Sequence, residues 1–155
     1  MKPGKEPTAA REVILDMASS CLLARSRLIA RVISSIHDQE LRPFGVNSSQ
    51  FSLLIVMHKL GPSSRADVAR YYHQDRSTLT RNLKIMIKEG WIEEDRAAIK
   101  GRARPLLLSA TGIDLLLRVK PAWERGQRQA KSILGTGGTD IIMEVADRIL
   151  ASAMK

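Results

Sequence analysis

The stretch 75–89, DRSTLTRNLKIMIKE, has the period of a short amphipathic helix. At about 100° per residue, Leu79, Leu83, Met86 and Ile87 fall on one side, and Ser77, Arg81, Lys84 and Lys88 on the other. Asp75 is placed to cap the N-terminus by accepting free backbone N–H groups, and Gly90 to close the C-terminus in a left-handed conformation. The outer face is expected to hold short hydroxyls, an amide and cations, with no carboxylate before Glu89. Such side chains donate hydrogen bonds to phosphates and base edges. A charged helix face taken alone is more often merely solvated, so the neighbours of this helix decide its meaning.

Immediately upstream, Ser63 or Ser64 caps a short helix over about Arg65–Tyr72, which carries Val68, Ala69 and Tyr72. Asp67 lies in its first turn, where a negative charge suits the helix dipole. His73-Gln74 is the turn, and small Ala66 and Ala69 allow close packing of the two helices. This is helix-turn-helix spacing, a weak signal in isolation because helical hairpins are common. Downstream of Gly90 the period changes. Trp91–Asp95 reads as a short strand, 96–103 (RAAIKGRA) as a loop with Gly101 near its tip, and Arg104–Ser109 as a second strand. Pro105 lacks an N–H and suits an edge position. The hairpin loop carries Arg96, Lys100, Arg102 and Arg104. A basic hairpin directly after a helix-turn-helix is the wing of a winged helix, and the order of the parts weighs more than any one of them.

On either side of this module the pattern is helical. From about Thr8 to Leu41 one long helix is expected: Ile14, Met17, Cys21, Ala24, Leu28, Val32 and Ile36 step by threes and fours, Leu15, Leu22, Ile29 and Ile33 widen the stripe, and no Pro or Gly interrupts it. A helix apolar on more than one face needs partners on two sides, here its own core and a second subunit. Pro43, Gly45 and Asn47 break the chain. Asn47 with Gln50 then forms a capping box that opens a helix over about Ser48–Lys59, with Phe51, Leu54, Ile55 and His58 at helical spacing, stopped by Gly61-Pro62. Ser109 caps a helix over about Ala110–Leu134 on which Ile113, Leu116, Leu117, Lys120, Trp123 and Gln127 lie near one another; Pro121 is expected to kink or split it. Gly135–Gly138 reads as a flexible turn. A last helix, about Thr139–Ala153, has Ile142, Val145, Ala146, Ile149 and Ala153 on one face. The fold class is mainly α with a small β-hairpin wing, in a single domain over residues 1–155.

Composition narrows the partners. At 155 residues and 44% hydrophobic content the chain can bury a core, and with 4% aromatics that core is aliphatic. A formal net charge of +9 and a pI near 10.2 favour a polyanion, either nucleic acid or an acidic membrane surface. One cysteine, Cys21, excludes an internal disulfide framework and a CxxC-type zinc site and fits cytosolic residence. No apolar run approaches the roughly 20 residues that span a bilayer. The N-terminal MKPGKEPTAARE has charge but no apolar stretch behind it, so it reads as a loose tail and not a signal peptide. His37, His58 and His73 are spread over three segments without a partner at metal-ligand spacing. No Ser/His/Asp set and no paired carboxylates appear in a catalytic context, and Gly135–Gly138 lacks the preceding strand of a nucleotide loop. Neither an enzyme, nor a metal site, nor a cofactor is expected.

LRPFGVNSSQFSLLIVM, ADVARYYHQDRSTLTRNLKIMIKEGWIEE and RPLLLSATG together resemble the MarR family of bacterial transcription regulators, from about Cys21 to Leu134, with DRSTLTRNL the most specific piece. The resemblance implies a homodimer held by N- and C-terminal helices, residues 8–41 and 110–155, around a DNA-binding winged helix-turn-helix over residues 47–109. It implies recognition helices in successive major grooves of a near-palindromic operator, with wings at the flanking minor grooves. Carried over by position, Ser77, Thr78, Thr80, Arg81 and Lys84 would face DNA, and Arg102 would be the wing-tip arginine. The family's acidic residue two positions before that arginine is replaced here by Lys100, which leaves the orientation of Arg102 open. The family also implies a small-molecule pocket between the dimer helices and the DNA-binding module.

Among these residues Arg81 and Arg102 carry the planar fork suited to guanine or to a narrow minor groove. The hydroxyls of Ser77, Thr78 and Thr80 have local backbone bonds as an equal alternative. Lys84 and Lys88 suit phosphate or water better than bases, and Arg104 of the wing joins them as a DNA-binding candidate. Cys21 is either an oxidant sensor, as in some members of the family, with Arg25 one turn away to support a thiolate, or an ordinary packed residue of the apolar stripe. The rival function is a helical interaction module for an acidic protein or membrane surface. Membrane binding wants a long basic amphipathic helix; the first helix has Arg25, Arg27 and Arg31 but is too broadly apolar.

Overall fold

The computed structural model describes residues 8–95 and 104–153. Its elements are α1 (Thr8–Ser20), α2 (Leu22–Leu41), a 3-10 turn (Arg42–Phe44), α3 (Ser48–Leu60), α4 (Arg65–Tyr71), α5 (Arg76–Lys88), β1 (Ile92–Glu94), β2 (Leu106–Leu108) and α6 (Ala110–Ala153). The chain divides into two compact units, Met1–Ile33 and Ser34–Lys155.

In the first unit the expected single helix is broken at Cys21. No Pro or Gly causes this. The hydroxyls of Ser19 and Ser20 both donate to the Asp16 carbonyl, the back-bonding that competes with a helical ladder. The Arg25 guanidinium donates to the Ser19 carbonyl at 3.0 Å. The thiol of Cys21 then lies where a capping side chain would, accepting from the Ala24 N–H at 3.4 Å.

The second unit is built on α3. Asn47 and Gln50 form the reciprocal capping box at its start, and the Asp38 carboxylate accepts from the Ser48 N–H at 2.6 Å, fixing the end of α2 to the start of α3. Leu53, Leu54 and Met57 of α3 are buried with Val68 of α4, Leu79, Leu83 and Met86 of α5, Ile92 and Leu106 of the hairpin, and Leu115 and Val119 of α6. Ile55 and His58 are exposed. Ser64 caps α4 by accepting from the Asp67 N–H. The turn after α4 holds His73 at a positive φ of 48°, with the N–H groups of His73 and Gln74 donating back to the Arg70 and Ala69 carbonyls.

β1 and β2 pair antiparallel in the register Ile92↔Leu108, Glu93↔Leu107, Glu94↔Leu106. On its other side β2 is bridged by Ser63, whose N–H and C=O both bond to Leu106. The hairpin therefore rests against the segment that leads into α4. Its open end is closed by the Asp95 N–H on the Pro105 carbonyl at 2.8 Å, and its root by the Ser109 N–H on the Trp91 carbonyl at 3.0 Å. Gly112 touches that root so closely that a Cβ there would collide with the Trp91 carbonyl oxygen.

α6 departs from the expected pattern in two respects. Helical geometry continues through Pro121, and the one non-helical residue is Gly135, at φ 68° and ψ 170°. Pro121 and Leu117, whose carbonyl loses its helical donor, are exposed, so water can serve the freed group. The buried face is Gly112, Leu115, Val119, Ala122, Gly126 and Ala130, whereas Ile113 and Leu117 of the expected face are exposed. Small residues win these positions because other elements approach closely: a Cβ on Gly126 would meet the ring of buried His37 at 3.1 Å. Nearby, Arg125 pairs with Glu40 at 2.7 Å. Past Gly135 the helix resumes, with Ile142, Ala146 and Leu150 half-buried and Val145 and Ile149 exposed.

Candidate functional site

The outer face of α5 is set by how the helix begins. Asp75 accepts from the Thr78 N–H at 2.8 Å and from the Ser77 hydroxyl at 2.7 Å. These two bonds, the backbone donor first, hold the Asp75 carboxyl down at about 2. A fixed negative charge thus sits at the positive end of the helix dipole. Thr80 donates to the Arg76 carbonyl at 2.7 Å. The hydroxyls of Ser77 and Thr80 therefore serve the helix itself, and Thr78 is half-buried.

The rotational setting of α5 is fixed from within. Leu79, Leu83 and Met86 face the core as expected, but Ile87 does not; Asn82 takes that place. The amide expected on the outer face is buried, and it donates to the Ser49 hydroxyl of α3 at 3.0 Å. A buried polar group is tolerated when it is bonded, and this one turns Arg81, Lys84 and Lys88 outward. All three are exposed, and none has a side-chain partner among the described residues. The next carboxylate along the helix is Glu89, at its C-terminal cap. Beyond the first turn, the charged groups on the described outer face are therefore all cations until Glu89.

Arg104 is exposed at the base of the wing, beside a shallow hollow of about 370 Å³ that Glu93 and Glu94 also line. Arg96, Lys100 and Arg102 lie outside the described residues. Glu94 also faces Arg65 of α4 at 3.5 Å, which ties the wing's first strand to the helix-turn-helix. Cys21 is half-buried at the α1–α2 break. Among the described residues, no cluster of His, Cys, Asp or Glu could hold a metal ion, and no helix is long and apolar enough to cross a membrane.

A second cationic feature has only an indirect sign in the sequence. Between α4 and α5 lies a cleft of about 700 Å³ with Arg65, Arg70 and Arg76 on its walls and Ala66, Ala69 and Leu79 among its lining. The signal was present: the two alanines expected to let the helices pack closely also leave this space. Arg76 is the first residue of α5. It projects from the flank of the helix, since it is separated from Arg81 by five residues and hence by about 140°.

No family model matches the chain. The uncharacterised HTH-type transcriptional regulator YwoH of Bacillus subtilis (strain 168) is 33% identical over 64 residues, which are 41% of this chain and 47% of that protein. The chain thus spans about half the length of that curated relative. Among solved structures, the transcriptional regulator MosR of M. tuberculosis is 27% identical, with a TM-score of 0.68 over 88% of this chain and 98% of that one. A mutant MarR from E. coli, crystallised with operator DNA, has a TM-score of 0.73 at 15% identity, over 86% of this chain and 97% of that one. A probable transcriptional regulator from Pseudomonas aeruginosa has a TM-score of 0.72 at 18% identity, over 85% and 98%.

Proposed function

We propose that this chain, which carries the winged-helix fold of MarR-type regulators, is a sequence-specific DNA-binding transcription regulator, a repressor that binds a near-palindromic operator as a homodimer. The observation that carries the reading is the outer face of α5. Arg81, Lys84 and Lys88 project from a helix whose N-cap carboxylate, that of Asp75, is already bonded to its own helix. A helix of this kind fits the major groove, and its cations are free to exchange counterions for phosphates. The M. tuberculosis relative is described as a transcriptional regulator, and the E. coli relative was crystallised on operator DNA; both support the same reading here.

Homodimerisation is supported by what is left uncovered. In the first unit Leu15, Met17, Leu22 and Leu23 are all more than half exposed, Leu22 to 81%. On the last part of α6, Ile141 and Met143 are exposed to 63% and 58%. Apolar surface on this scale marks an interface, and a second copy of the chain is the occupant that symmetry favours.

The test is selection of duplexes from a random pool by the full chain, followed by titration at several salt concentrations. A near-palindromic selected site, bound with an affinity that falls steeply with salt, is the expected result. Arg81→Ala should weaken discrimination, while Lys88→Ala should weaken selected and random duplexes alike. A pool that stays unenriched, with stronger binding to anionic vesicles than to duplex, would overturn the proposal in favour of a membrane-binding module.

A further inference from the structure

The cations of the α4–α5 cleft are not equivalent. Arg65 pairs with Glu94 and Arg70 with Asp67. Asp75 also borders the cleft, but its carboxylate is occupied by Thr78 and Ser77. The Arg76 side chain has no hydrogen bond or ion pair among the described residues and is exposed. It is the uncommitted cation of the cleft.

Its direction matters. Arg76 shares its flank of α5 with Leu79 and Thr80, which line the same cleft. Arg81 and Lys84 point elsewhere by the helical period. A helix lying in a major groove about 12 Å wide has bases beneath it and phosphates on both walls. Side chains on its outermost line reach base edges, and those on its flanks reach a wall. In a helix-turn-helix the first helix crosses the backbone on that side. The exposed Arg70–Asp67 pair at 2.5 Å is of the weakly held kind, so Arg70 can exchange its carboxylate for a stronger anion.

On the reading that α5 enters DNA, we propose that the α4–α5 cleft is a backbone-clamping site, in which Arg76, with Arg70 behind it, holds one phosphate of the duplex wall. The alanines set the depth of the clamp. Arg76 is a positioning contact without sequence information, whereas Arg81 is the reader.

The experiment compares the wild type, Arg76→Ala, Arg76→Lys and Arg81→Ala, all as full-length chains, on a selected duplex and on a random one from low to moderate salt. Arg76→Ala is expected to weaken both duplexes by the same several-fold factor. It should reduce the slope of log affinity against log salt by about 0.9, the signature of one lost phosphate contact. Arg76→Lys is expected to keep the wild-type slope. Thermal midpoints report folding, and Arg76→Lys carries the test should Arg76→Ala unfold, since a lysine that also flattens the slope overturns the clamp. An Arg76→Ala protein with an unchanged slope, or one weakened on the selected duplex alone, overturns it as well. Failure of the underlying reading looks different: the wild type then prefers no duplex at all.

Discussion

The Asn82 amide of α5 donates to the Ser49 hydroxyl of α3 at 3.0 Å, with Asn82 only 8% exposed. This bond and the hydrophobic face beside it set which side of α5 meets solvent. A polar residue in a core has one well-paired orientation, while an aliphatic one tolerates several.

Replacing Asn82 with Ala should therefore destabilise the protein by about 1–3 kcal/mol, from the lost bond and from a hydroxyl left half-satisfied. Combining it with Ser49→Ala should cost less than the sum of the two single changes, because both remove the same interaction. Denaturant unfolding of the four proteins measures this; strict additivity would mean that the contact is not made in solution.

Gly112→Ala should be severe for a different reason. The added Cβ meets a carbonyl oxygen of the backbone at Trp91, which cannot rotate away as a side chain would. Overpacking of this sort costs roughly 1–3 kcal/mol or more. The urea midpoint should fall. A Gly112→Ala protein as stable as the wild type would show that α6 and the hairpin root are further apart than described.

The acid limb of stability should carry a contribution from Asp75. Its carboxyl is held at about 2 in the folded protein, below the usual aspartate range near ~3.9. A depressed folded value means that the stabilisation is fully present above the unfolded value and disappears as pH falls from about 4 toward 2. Asp75→Asn keeps a capping side chain but removes the titration. The mutant should lose less stability than the wild type between pH 5 and pH 2, followed by helical circular dichroism in urea. Parallel acid curves would exclude Asp75 as a contributor.

Concentration should matter as much as pH. If the exposed apolar surface of α1 and α2 meets a second copy, Leu15→Glu and Leu22→Glu should give monomers in sedimentation and weaken operator binding at least tenfold. Unfolding of the wild type should shift to higher temperature as protein concentration rises. A wild type that sediments as a monomer at micromolar concentration would remove the dimer from the proposal.

These residues also mark what could be read from sequence. The caps at Asn47, Ser64 and Asp75 and the stop at Gly90 are local, and all lie where the spacing put them. The two strands of the hairpin follow from the change of period after Gly90, while their register depends on pairing across the loop. Asn82 reads as an outer residue because polarity usually predicts exposure; its partner is 33 residues away, beyond any local pattern. The inner face of α6 differs from the face its hydropathy marks, because hydropathy gives weight to Leu, Ile and Trp, while close packing selects Gly and Ala. The break at Cys21 arises from two serines competing for one carbonyl, which leaves no mark on the apolar stripe. Arg76 carries no such sign in the sequence, because it lies off the line of Arg81 and Lys84, on a flank whose meaning depends on α4.

The wing's base is fastened twice, at Trp91–Ser109 and again at Asp95–Pro105, with Gly112 pressed against the first of these points. Everything needed to hold the two strands in register is complete before the tip begins. Residues can then be added to or taken from the tip at little expense to the body, since doubling a loop's length costs only about 0.6 kcal/mol of closure entropy. Descendants of this scaffold could change the reach of the wing by insertion and deletion alone, while α4 and α5 stay as they are.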